Sequence, residues 1–593
     1  MKKYSLVVIF LIVAFGLNYT VQNRWKGDDW KMAIGSDGYG YYGYLPCIFI
    51  YHSLDFNKAI TEERKFCVDA GGPFQYNENR LINKCFIGVA ILLAPFFLIA
   101  YALSYLMGTG TGGYEFLFEA SVGIGALFYL GLGLIFIRKL LKEYNMSEFI
   151  ISLTLILLVL GTNLIYYATI EPSMSHLYSF SMGAVFLFYT KRSVDDFRFK
   201  NLVWMAVAMS ILVLIRPTNI LGAALIVFFA GSIKNTLTFL KKLFSSKEII
   251  GLLLIVTAIL SIQFIMWKLT SGHFFFWSYP GEGFDFLHSH FIDILFSYRK
   301  GWFVYTPLML IAVLAGLIAL YKQNRFLFMV ALLFTLLVIL VFSSWGTWAY
   351  EGDFGLRAFI DFYAFFAFLL GIFLNSLTSI WTKTSIIVIG ILCISLNFFQ
   401  MFQYTHWIMP CAGMDKDKYW SIFLKYDVEY QGMLDRPDTT GFNTLNNYHY
   451  VNDFEHNTWG HDENITTKFA HNGTHSAFAS DDRQVCPQLA LKASDLPQNK
   501  TLFVLVKLWA YMPDMDNKAI LLVCVKPQKG DAYLWHPKNL KGFVFHPNTW
   551  TEAYDLVQLP AFKDPTDEVD IVVTNSKGVV YIDDMDVIFE TPK

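Results

Sequence analysis

The run FLFMVALLFTLLVILVF at residues 326–342 contains no charged side chain and a single hydroxyl, that of Thr335. A helix needs about 20 mostly apolar residues to cross the hydrocarbon core of a bilayer. Comparable runs follow one another from Met1 to about Gln403 and stop after Tyr404. The sequence therefore predicts a polytopic α-helical membrane protein followed by a polar C-terminal region.

The composition of the 593-residue chain agrees with this fold class. Apolar residues make up 55% and charged residues 16%, whereas soluble domains carry about 25% charged residues. The formal net charge of −2 leaves no basic excess for a phosphate backbone, so nucleic acid is not expected as a partner. Seven Cys without a CxxC pair argue against a disulfide scaffold or a zinc ribbon.

Eleven runs are good candidates for membrane spans. The first lacks a cleavage site of the A-x-A type, which favours an uncleaved anchor over a signal peptide. The eleven are Tyr4–Val21, Glu119–Ile137, Glu148–Ala168, Met174–Thr190, Asn201–Ile215, Thr218–Ile233, Ile249–Trp267, Trp302–Leu320, Phe326–Phe342, Ala358–Leu377 and Ser385–Gln403.

The run Cys85–Met107 is ambiguous, and the charges of the loops decide how to treat it. With eleven spans and Met1 inside, the later inner loops contain fourteen Lys or Arg and the opposing short loops five. A twelfth crossing at Cys85–Met107 would reverse this distribution, against the tendency of basic residues to stay inside. We therefore expect Cys85–Met107 to be an amphipathic or re-entrant segment on the outer surface.

The polar C-terminal region, residues 405–593, is predicted to be a β-sandwich outside the membrane. Alternating runs rich in β-branched residues, separated by turn signals, favour antiparallel strands. The closing run Val580–Val587, with Asp583 and Asp584, resembles the last strand of carbohydrate-binding jelly-roll modules. A non-binding spacer domain is the alternative. The strand candidates are Leu502–Leu508, Ala519–Val525, Gly542–Phe545, Val569–Val573 and Val579–Ile582.

Asp37 is the first candidate for a catalytic residue. It lies in the first outer loop, in the run SDGYGYY at residues 36–42. A carboxylate there can accept a proton from an acceptor hydroxyl, and the aromatic rings beside it can stack on a sugar. An Asp-Gly turn with interfacial Tyr anchors is the plain structural interpretation. The neighbouring pair Asp28-Asp29 is the rival for the catalytic position.

This order of features resembles the GT-C superfamily of polytopic glycosyltransferases. A first span, an acidic outer loop, an amphipathic segment and a basic inner loop carry the resemblance over residues 1–404. The segments YRKGWFVYTP at 298–307 and FGLRAFID at 354–361 look like bacterial members related to protein mannosyltransferases and aminoarabinose transferases. The resemblance implies that Asp37 is catalytic and that the sugar donor is a polyprenyl-phosphate sugar. The chain lacks the paired Asp-Glu of protein mannosyltransferases, which counts against a protein acceptor.

Cations at the outer ends of spans are candidates for binding the donor phosphate. Arg forms two-pronged phosphate contacts and Lys supplies a point charge. Anchoring of a helix at the interface is the alternative for each. The candidates are Arg216, Arg299, Lys300 and Arg357.

Further outer-face residues are candidates for acceptor or auxiliary roles. Glu171 and His176 can bind an acceptor or a metal ion, although a Glu and a His five residues apart at the edge of a span more often mark a capped helix start. No metal site is predicted from the spacing of His, Cys and carboxylates, and no cofactor is assigned, with a divalent cation left open. The acceptor and auxiliary candidates are Glu171, His176, Asp28, Asp29, Tyr41 and Asp353.

These observations predict an inverting membrane glycosyltransferase that moves a sugar from a polyprenyl-phosphate donor to a lipid or glycan acceptor at the extracytoplasmic face. The expected location is a bacterial inner membrane, with the C-terminal domain in the periplasm or outside. The alternative is a polytopic transporter or flippase of a glycolipid or cell-envelope precursor. A transporter predicts internal repeats and charges at the midplane, and neither is evident. In a third alternative the spans only anchor a binding domain, but eleven spans exceed that need.

Overall fold

The computed structural model describes residues 4–27, 29–66, 74–77, 80–279, 282–427, 430–432, 434, 442–456, 459–497, 501–544 and 546–592. The chain divides into two compact units, Met1–Gln431 and Gly432–Lys593. The first is helical apart from one short hairpin, and the second is built from strands. A polytopic helical unit followed by a β-sandwich is the predicted fold class, and it is confirmed.

The first unit contains nineteen helices within its described residues. They are α1 (Tyr4–Asn23), α2 (Gly38–Phe49), α3 (Asn57–Glu63), α4 (Gly88–Met107), α5 (Phe116–Glu143), α6 (Glu148–Leu160), α7 (Leu164–Thr169), α8 (Ser175–Asp195), α9 (Phe199–Ile215), α10 (Leu225–Ala230), α11 (Ile233–Ser245), α12 (Glu248–Ser271), α13 (Asp293–Phe296), α14 (Trp302–Tyr305), α15 (Pro307–Gln323), α16 (Arg325–Ser343), α17 (Tyr363–Ser376), α18 (Ile380–Thr405) and α19 (Lys416–Ile422). The hairpin pairs β1 (Phe74–Asn77) with β2 (Arg80–Asn83) between α3 and α4.

Seven described helices are long and apolar enough to cross a membrane, or up to eight when a bent pair is counted as one span. The bent pair joins Pro217–Ala230 to Ile233–Ser245 at 116°. Three shorter apolar helices, α6, α9 and α15, correspond to three more predicted spans. The seven are α1, α4, α5, α12, α16, Arg357–Ser376 and α18.

Helix α4 covers most of the run Cys85–Met107. It is one continuous helix from Gly88 to Met107 with the length and composition of a span, and the surface position expected for this run stays a prediction. Its beginning packs directly on the end of α9, because a Cβ added at Gly88 would lie 2.4 Å from the backbone N of Ile215. A glycine is needed where two backbones approach this closely.

Polar contacts define the ends of several helices. Ser147, Ser232 and Asn324 cap α6, α11 and α16 by accepting hydrogen bonds from backbone N–H groups of the first turn, which are otherwise unpaired. At the predicted inner side, the Glu148 carboxylate accepts from the backbone N–H of Ser5 (3.0 Å) and pairs with Arg138 (3.2 Å). These contacts hold α1, α5 and α6 together.

The second unit is a sandwich of two antiparallel sheets. One sheet has the order β10-β7-β12-β5-β4, with β3 also paired to β12, and the other has the order β6-β11-β8-β9. Apolar side chains from both sheets, such as Val506 and Ile571, meet in a shared core. The strands are β3 (Phe442–Asn452), β4 (Ile465–Thr466), β5 (Ser476–Ser480), β6 (Leu489–Lys492), β7 (Phe503–Tyr511), β8 (Ile520–Lys526), β9 (Leu534–Asn539), β10 (Thr551–Gln558), β11 (Glu568–Thr574) and β12 (Val579–Pro592).

Four of the five predicted strand runs correspond to β7, β8, β11 and β12. The fifth run, Gly542–Phe545, is not a strand over its described residues, and that prediction is wrong. A 3-10 turn covers Leu540–Gly542, and the backbone N–H groups of Phe543 and Val544 donate to the backbone oxygen of Leu540. The side chains of Phe543 and Val544 are buried in the core. Their apolar pattern therefore reflects burial in a turn rather than a strand.

Candidate active site

The candidate active site is a cavity of about 770 Å³ in the first unit. Its lining comes from the first outer loop, the α9 end, the second half of α12, the segment after α12 and the loop between α16 and α17. Asp37, Arg216, Arg299 and Arg357 all line it. The sequence proposed these four residues from widely separated loops, and the structure brings them around one space.

Asp37 lies at the start of α2, whose first turn is pressed against the loop before α8. A Cβ added at Gly38 would lie 1.9 Å from the Ser173 hydroxyl oxygen, and the Gly35 backbone N–H donates to that oxygen at 3.3 Å. Ser36 has a left-handed backbone with φ of 52°. Strained non-glycine backbone of this kind concentrates at functional sites. The tight packing fixes Asp37 at the cavity wall.

Arg357 joins Asp37 to a second, fully buried carboxylate. Its Nη2 lies 3.0 Å from Oδ2 of Asp37, and its Nη1 pairs with Oδ2 of Asp353. Asp353 is not among the residues that line the cavity. It therefore serves to hold Arg357 rather than to contact a ligand.

Arg216 is held in a similar way by a buried pair behind it. Asp361 Oδ1 lies 2.9 Å from His176 Nδ1, and Asp361 Oδ2 lies 3.4 Å from Arg216 Nε. Arg216 Nη1 lies 3.5 Å from His176 Nε2. A guanidinium can only donate, so His176 accepts through Nε2 and donates through Nδ1–H to Asp361. Neither contact uses Nη2 of Arg216.

Arg299 is fixed at the rim of the cavity by Glu351. Its Nε and Nη2 donate to the two carboxylate oxygens at 2.7 and 2.6 Å. The Glu351 carboxylate also accepts from the backbone N–H of Gly413 at 2.8 Å. The hydrogen bonds from Arg299 lower the pKa of Glu351 below its usual value. The pair is half-exposed, so Arg299 remains open to the solvent.

Lys300 and Glu171 are not among the residues that line the cavity. The Lys300 ammonium is buried and donates to the backbone oxygen of Asp353. Burial lowers the pKa of Lys300 to about 8, with Arg357 acting in the same direction. Glu171 accepts from the Tyr166 hydroxyl at 2.7 Å, and burial raises its pKa.

The remaining candidates differ in whether they line the cavity. Tyr41 lines the cavity beside Asp37, and burial raises the pKa of its phenol, which keeps the hydroxyl protonated. Asp29 lies in a 3-10 turn, Asp29–Met32, is exposed and is not part of the cavity lining. Asp28 lies outside the described residues. Among the residues that the structure describes, no group of three or more His, Cys, Asp or Glu could hold a metal ion.

Much of the cavity lining, called here its aromatic side, is aromatic and apolar. Most of it comes from two parts of the chain that sequence reasoning missed: the second half of α12 and the segment that follows. The sequence contains a dense run of aromatic residues here, HFFFW at 273–277. Because this run lies in a loop, nothing in the sequence placed it near Asp37. The apolar lining includes Phe86, Leu260, Phe264, Trp267, Phe275, Phe276, Trp277, Phe284, Trp345 and Trp348.

Lys84 and Tyr350 also belong to the cavity and were not foreseen. Lys84, which follows β2, pairs with Glu282 at 2.9 Å, and both line the cavity. Tyr350 has a left-handed backbone with φ of 47°. Its strained position lies between Glu351 and the aromatic side of the cavity. Neither residue belongs to a motif that could have predicted it.

No protein-family model matches the chain, and no curated protein sequence matches it. Among solved structures, the arabinosyltransferase EmbB from Mycobacterium smegmatis is similar over 99% of this chain and 64% of its own, at 8% identity and a TM-score of 0.37. This chain thus spans less than two thirds of that protein.

Two carbohydrate-binding modules are similar to 26% of the chain. The C-terminal family 22 module of Clostridium thermocellum Xyn10B has 13% identity and a TM-score of 0.16 and is covered over 87% of its length. The xylan-binding domain of Paenibacillus barcinonensis Xyn10C has 11% identity and a TM-score of 0.15 and is covered over 89% of its length.

Proposed function

We propose that the chain is an inverting membrane glycosyltransferase that uses a polyprenyl-phosphate sugar as its donor. In the step, an acceptor hydroxyl oxygen bonds to the anomeric carbon of the sugar. The bond between that carbon and the phosphate oxygen breaks, and the polyprenyl phosphate leaves with the electron pair. The acceptor is a lipid or a glycan at the extracytoplasmic face.

The observation that carries the proposal is the mixed lining of the cavity. Asp37 and the guanidinium groups of Arg216, Arg299 and Arg357 line it together with many aromatic and aliphatic side chains. A lipid-linked sugar phosphate likewise combines a charged group with an apolar tail. A cavity of about 770 Å³ is in the range of about 300–1,000 Å³ that small-molecule sites occupy.

Asp37 takes the role of general base in this proposal. As the acceptor oxygen attacks, Asp37 accepts its proton through a carboxylate oxygen. Its Oδ2 contacts Arg357 at 3.0 Å, which holds the carboxylate in place and leaves Oδ1 for the acceptor hydroxyl. Tyr41 supplies an aromatic face and a protonated hydroxyl beside it.

Arg216, Arg299 and Arg357 take the role of stabilising the phosphate that leaves. Negative charge grows on the phosphate as the bond to the sugar breaks, and fixed donors aimed at it lower the barrier. Each of the three is pinned by its own carboxylate, Asp361, Glu351 and Asp353 respectively. The donors are therefore held in position before the substrate arrives, and little reorganisation accompanies the step.

The test is transfer by purified full-length chain in lipid nanodiscs. A panel of polyprenyl-phosphate sugars is offered with a glycolipid extract as acceptor, and release of polyprenyl phosphate is followed by mass spectrometry. Release that depends on the acceptor supports the proposal. Donor that crosses the bilayer of a proteoliposome without being cleaved would instead support the transporter or flippase.

A further inference from the structure

The segment between α12 and α13, residues 273–292, forms one wall of the cavity and is named here the wall segment. Both halves of the wall segment are hydrogen-bonded to the rest of the first unit. The Ser278 hydroxyl donates to the backbone oxygen of Lys84 at 3.0 Å. In the second half, the backbone N–H groups of Asp285 and His290 donate to the backbone oxygens of Ser344 and Ser343 at 2.7 and 2.9 Å. It is a fixed wall, with residues 280–281 outside the described part.

The wall segment contains residues that line the cavity and residues that do not, and the latter are named here its outer side. Ser278 and Tyr279 line the cavity, and Ser278 is buried. The outer side presents large apolar side chains to the surroundings: Leu287 is 91% exposed and Phe274 is 63% exposed. The exposed apolar side chains that do not line the cavity are Phe274, Phe286, Leu287 and Ile292. Large apolar side chains exposed together in one segment mark an interaction site.

The outer side continues the exposed apolar face of α12. Most of α12 is unburied although it is long and apolar enough to span a membrane. Its exposed side chains, which include Leu254 and Leu269, lead to the wall segment across Gly272, whose left-handed backbone (φ of 79°) ends the helix. The exposed face of α12 thus leads to the wall segment through a short, more polar stretch that contains Lys268, Ser271 and His273.

The chemistry of the wall segment fits the boundary between acyl chains and headgroups. Phe and Trp side chains alternate with a few polar ones, and aromatic side chains concentrate at this depth of a bilayer. Two of its exposed histidines are paired with carboxylates within the segment or just beyond it: His288 lies 2.8 Å from Asp285, and His290 lies 3.0 Å from Asp293. Paired polar groups of this kind suit a headgroup layer better than they suit the buried core of a protein interface.

We propose that the wall segment is immersed in the outer leaflet, so that one wall of the cavity is bounded by lipid rather than by water. The occupant of its apolar outer side is the acyl-chain region of that leaflet. The immersion does not depend on the sugar-transfer reaction. If the proposed function holds as well, a lipid-linked substrate reaches the aromatic side of the cavity without leaving the membrane.

The test uses an environment-sensitive fluorophore (NBD) on single introduced cysteines of the full-length chain in phosphatidylcholine–phosphatidylglycerol vesicles. Leu287→Cys and Phe274→Cys report on the wall segment. Leu254→Cys on α12 is the lipid reference, and Lys529→Cys, which is exposed in the β-sandwich unit, is the water reference. The unmodified chain carried through the same labelling supplies the background from native cysteines. Because Leu287 and Phe274 are exposed, their replacement leaves the core intact, which thermal unfolding verifies.

The expected result is that lipids brominated on their acyl chains quench the fluorophore at 287 and 274 almost as strongly as at 254 and far more than at 529. Quenching at 287 and 274 no greater than at 529 overturns the proposal. A blue-shifted emission without lipid quenching also overturns it, because the surface is then covered by protein, such as a second copy. Neither readout involves sugar transfer, so the proposed function can fail without affecting this result.

Discussion

Nη2 of Arg357 lies 3.0 Å from Oδ2 of Asp37, and the contact joins residues 320 positions apart in the chain. Asp37 directly precedes α2, and Arg357 begins a 3-10 helix before α17. The candidate base and one candidate phosphate ligand are thus a single ion-paired unit. Their effects on activity are expected to be non-additive, since neighbouring charged groups couple.

Replacing Arg357 by Lys keeps the charge but removes the planar fork that reaches Asp37 and Asp353 together. Losing one charge-assisted contact to the leaving phosphate should remove roughly 2–4 kcal/mol of transition-state stabilisation, a rate loss of about 30- to 1000-fold. Turnover is measured per folded molecule in detergent.

Arg325→Lys is the matched control for Arg357→Lys. Arg325 is an exposed cation at the start of α16, and its replacement should leave turnover unchanged. Arg357→Ala should in addition lower the yield of folded protein, because Asp353 would keep a buried charge without its partner. Normal turnover in both Arg357 variants would take this residue out of the active site.

Asp361→Asn tests whether the buried pair behind Arg216 positions that side chain. The variant keeps an oxygen for His176 Nδ1–H but loses the charge that holds Arg216. Donor affinity should fall by roughly tenfold, which corresponds to about 1.4 kcal/mol, and KM should change more than kcat. Asp195→Asn, which removes one partner of an exposed pair on α8, is the control. An unchanged KM for the donor in Asp361→Asn would rule out this positioning role.

The burial of Lys300 should make stability depend on pH. Its pKa is lowered from 10.5 to about 8 in the folded chain. Between these values the unfolded chain holds a proton that the folded chain has lost, so the free energy of unfolding rises with pH. In detergent, the unfolding temperature of the native chain should rise between about pH 7 and about pH 10. The unfolding temperature of Lys300→Met should lack this rise. Parallel curves for the two proteins would show that Lys300 keeps its ordinary pKa.

The predicted topology places Met1 inside and the β-sandwich outside. Lys247→Cys, exposed before α12, should react with a membrane-impermeant thiol reagent from the inner side alone. Ser576→Cys, exposed in the β-sandwich unit, should react from the outer side. Ser193, although it lies in a predicted inner loop, is fully buried and is unsuited to labelling. Reaction of Lys247→Cys from outside would reverse the topology.

Much of the fold could be predicted because the bilayer imposes a length and a composition on each span. The runs that became α1, α5, α12, α16 and α18 were evident for that reason. The predicted span Thr218–Ile233 instead forms a 3-10 turn, a short helix and a sharp bend. Apolar composition reports burial but not a straight path. The break itself falls at Gly231, whose left-handed backbone ends α10, and Ser232, which caps α11; this pair is a helix stop and start signal.

The candidate site was predictable in its charged half and not in its apolar half. Asp37 and Arg357 stood out because charges are rare near spans and costly to bury. Asp361 lay in a quoted segment, yet its contact with His176 depends on how α8 packs against the 3-10 helix Arg357–Phe362. Lys300 lay beside Arg299 in sequence, but its ammonium points inward. Such pairings arise from tertiary packing, which periodicity does not encode.

The measurement that tests the central claim most directly is sugar transfer by Asp37→Asn in membranes. Asn keeps the size of the side chain and can still contact Arg357, but it cannot accept the acceptor proton at neutral pH. We expect transfer to fall by at least about a hundredfold, the usual contribution of a general base, with the yield of folded protein and donor binding preserved. Asp29→Asn, in the exposed turn outside the cavity, should transfer normally. Undiminished transfer by Asp37→Asn would contradict the account.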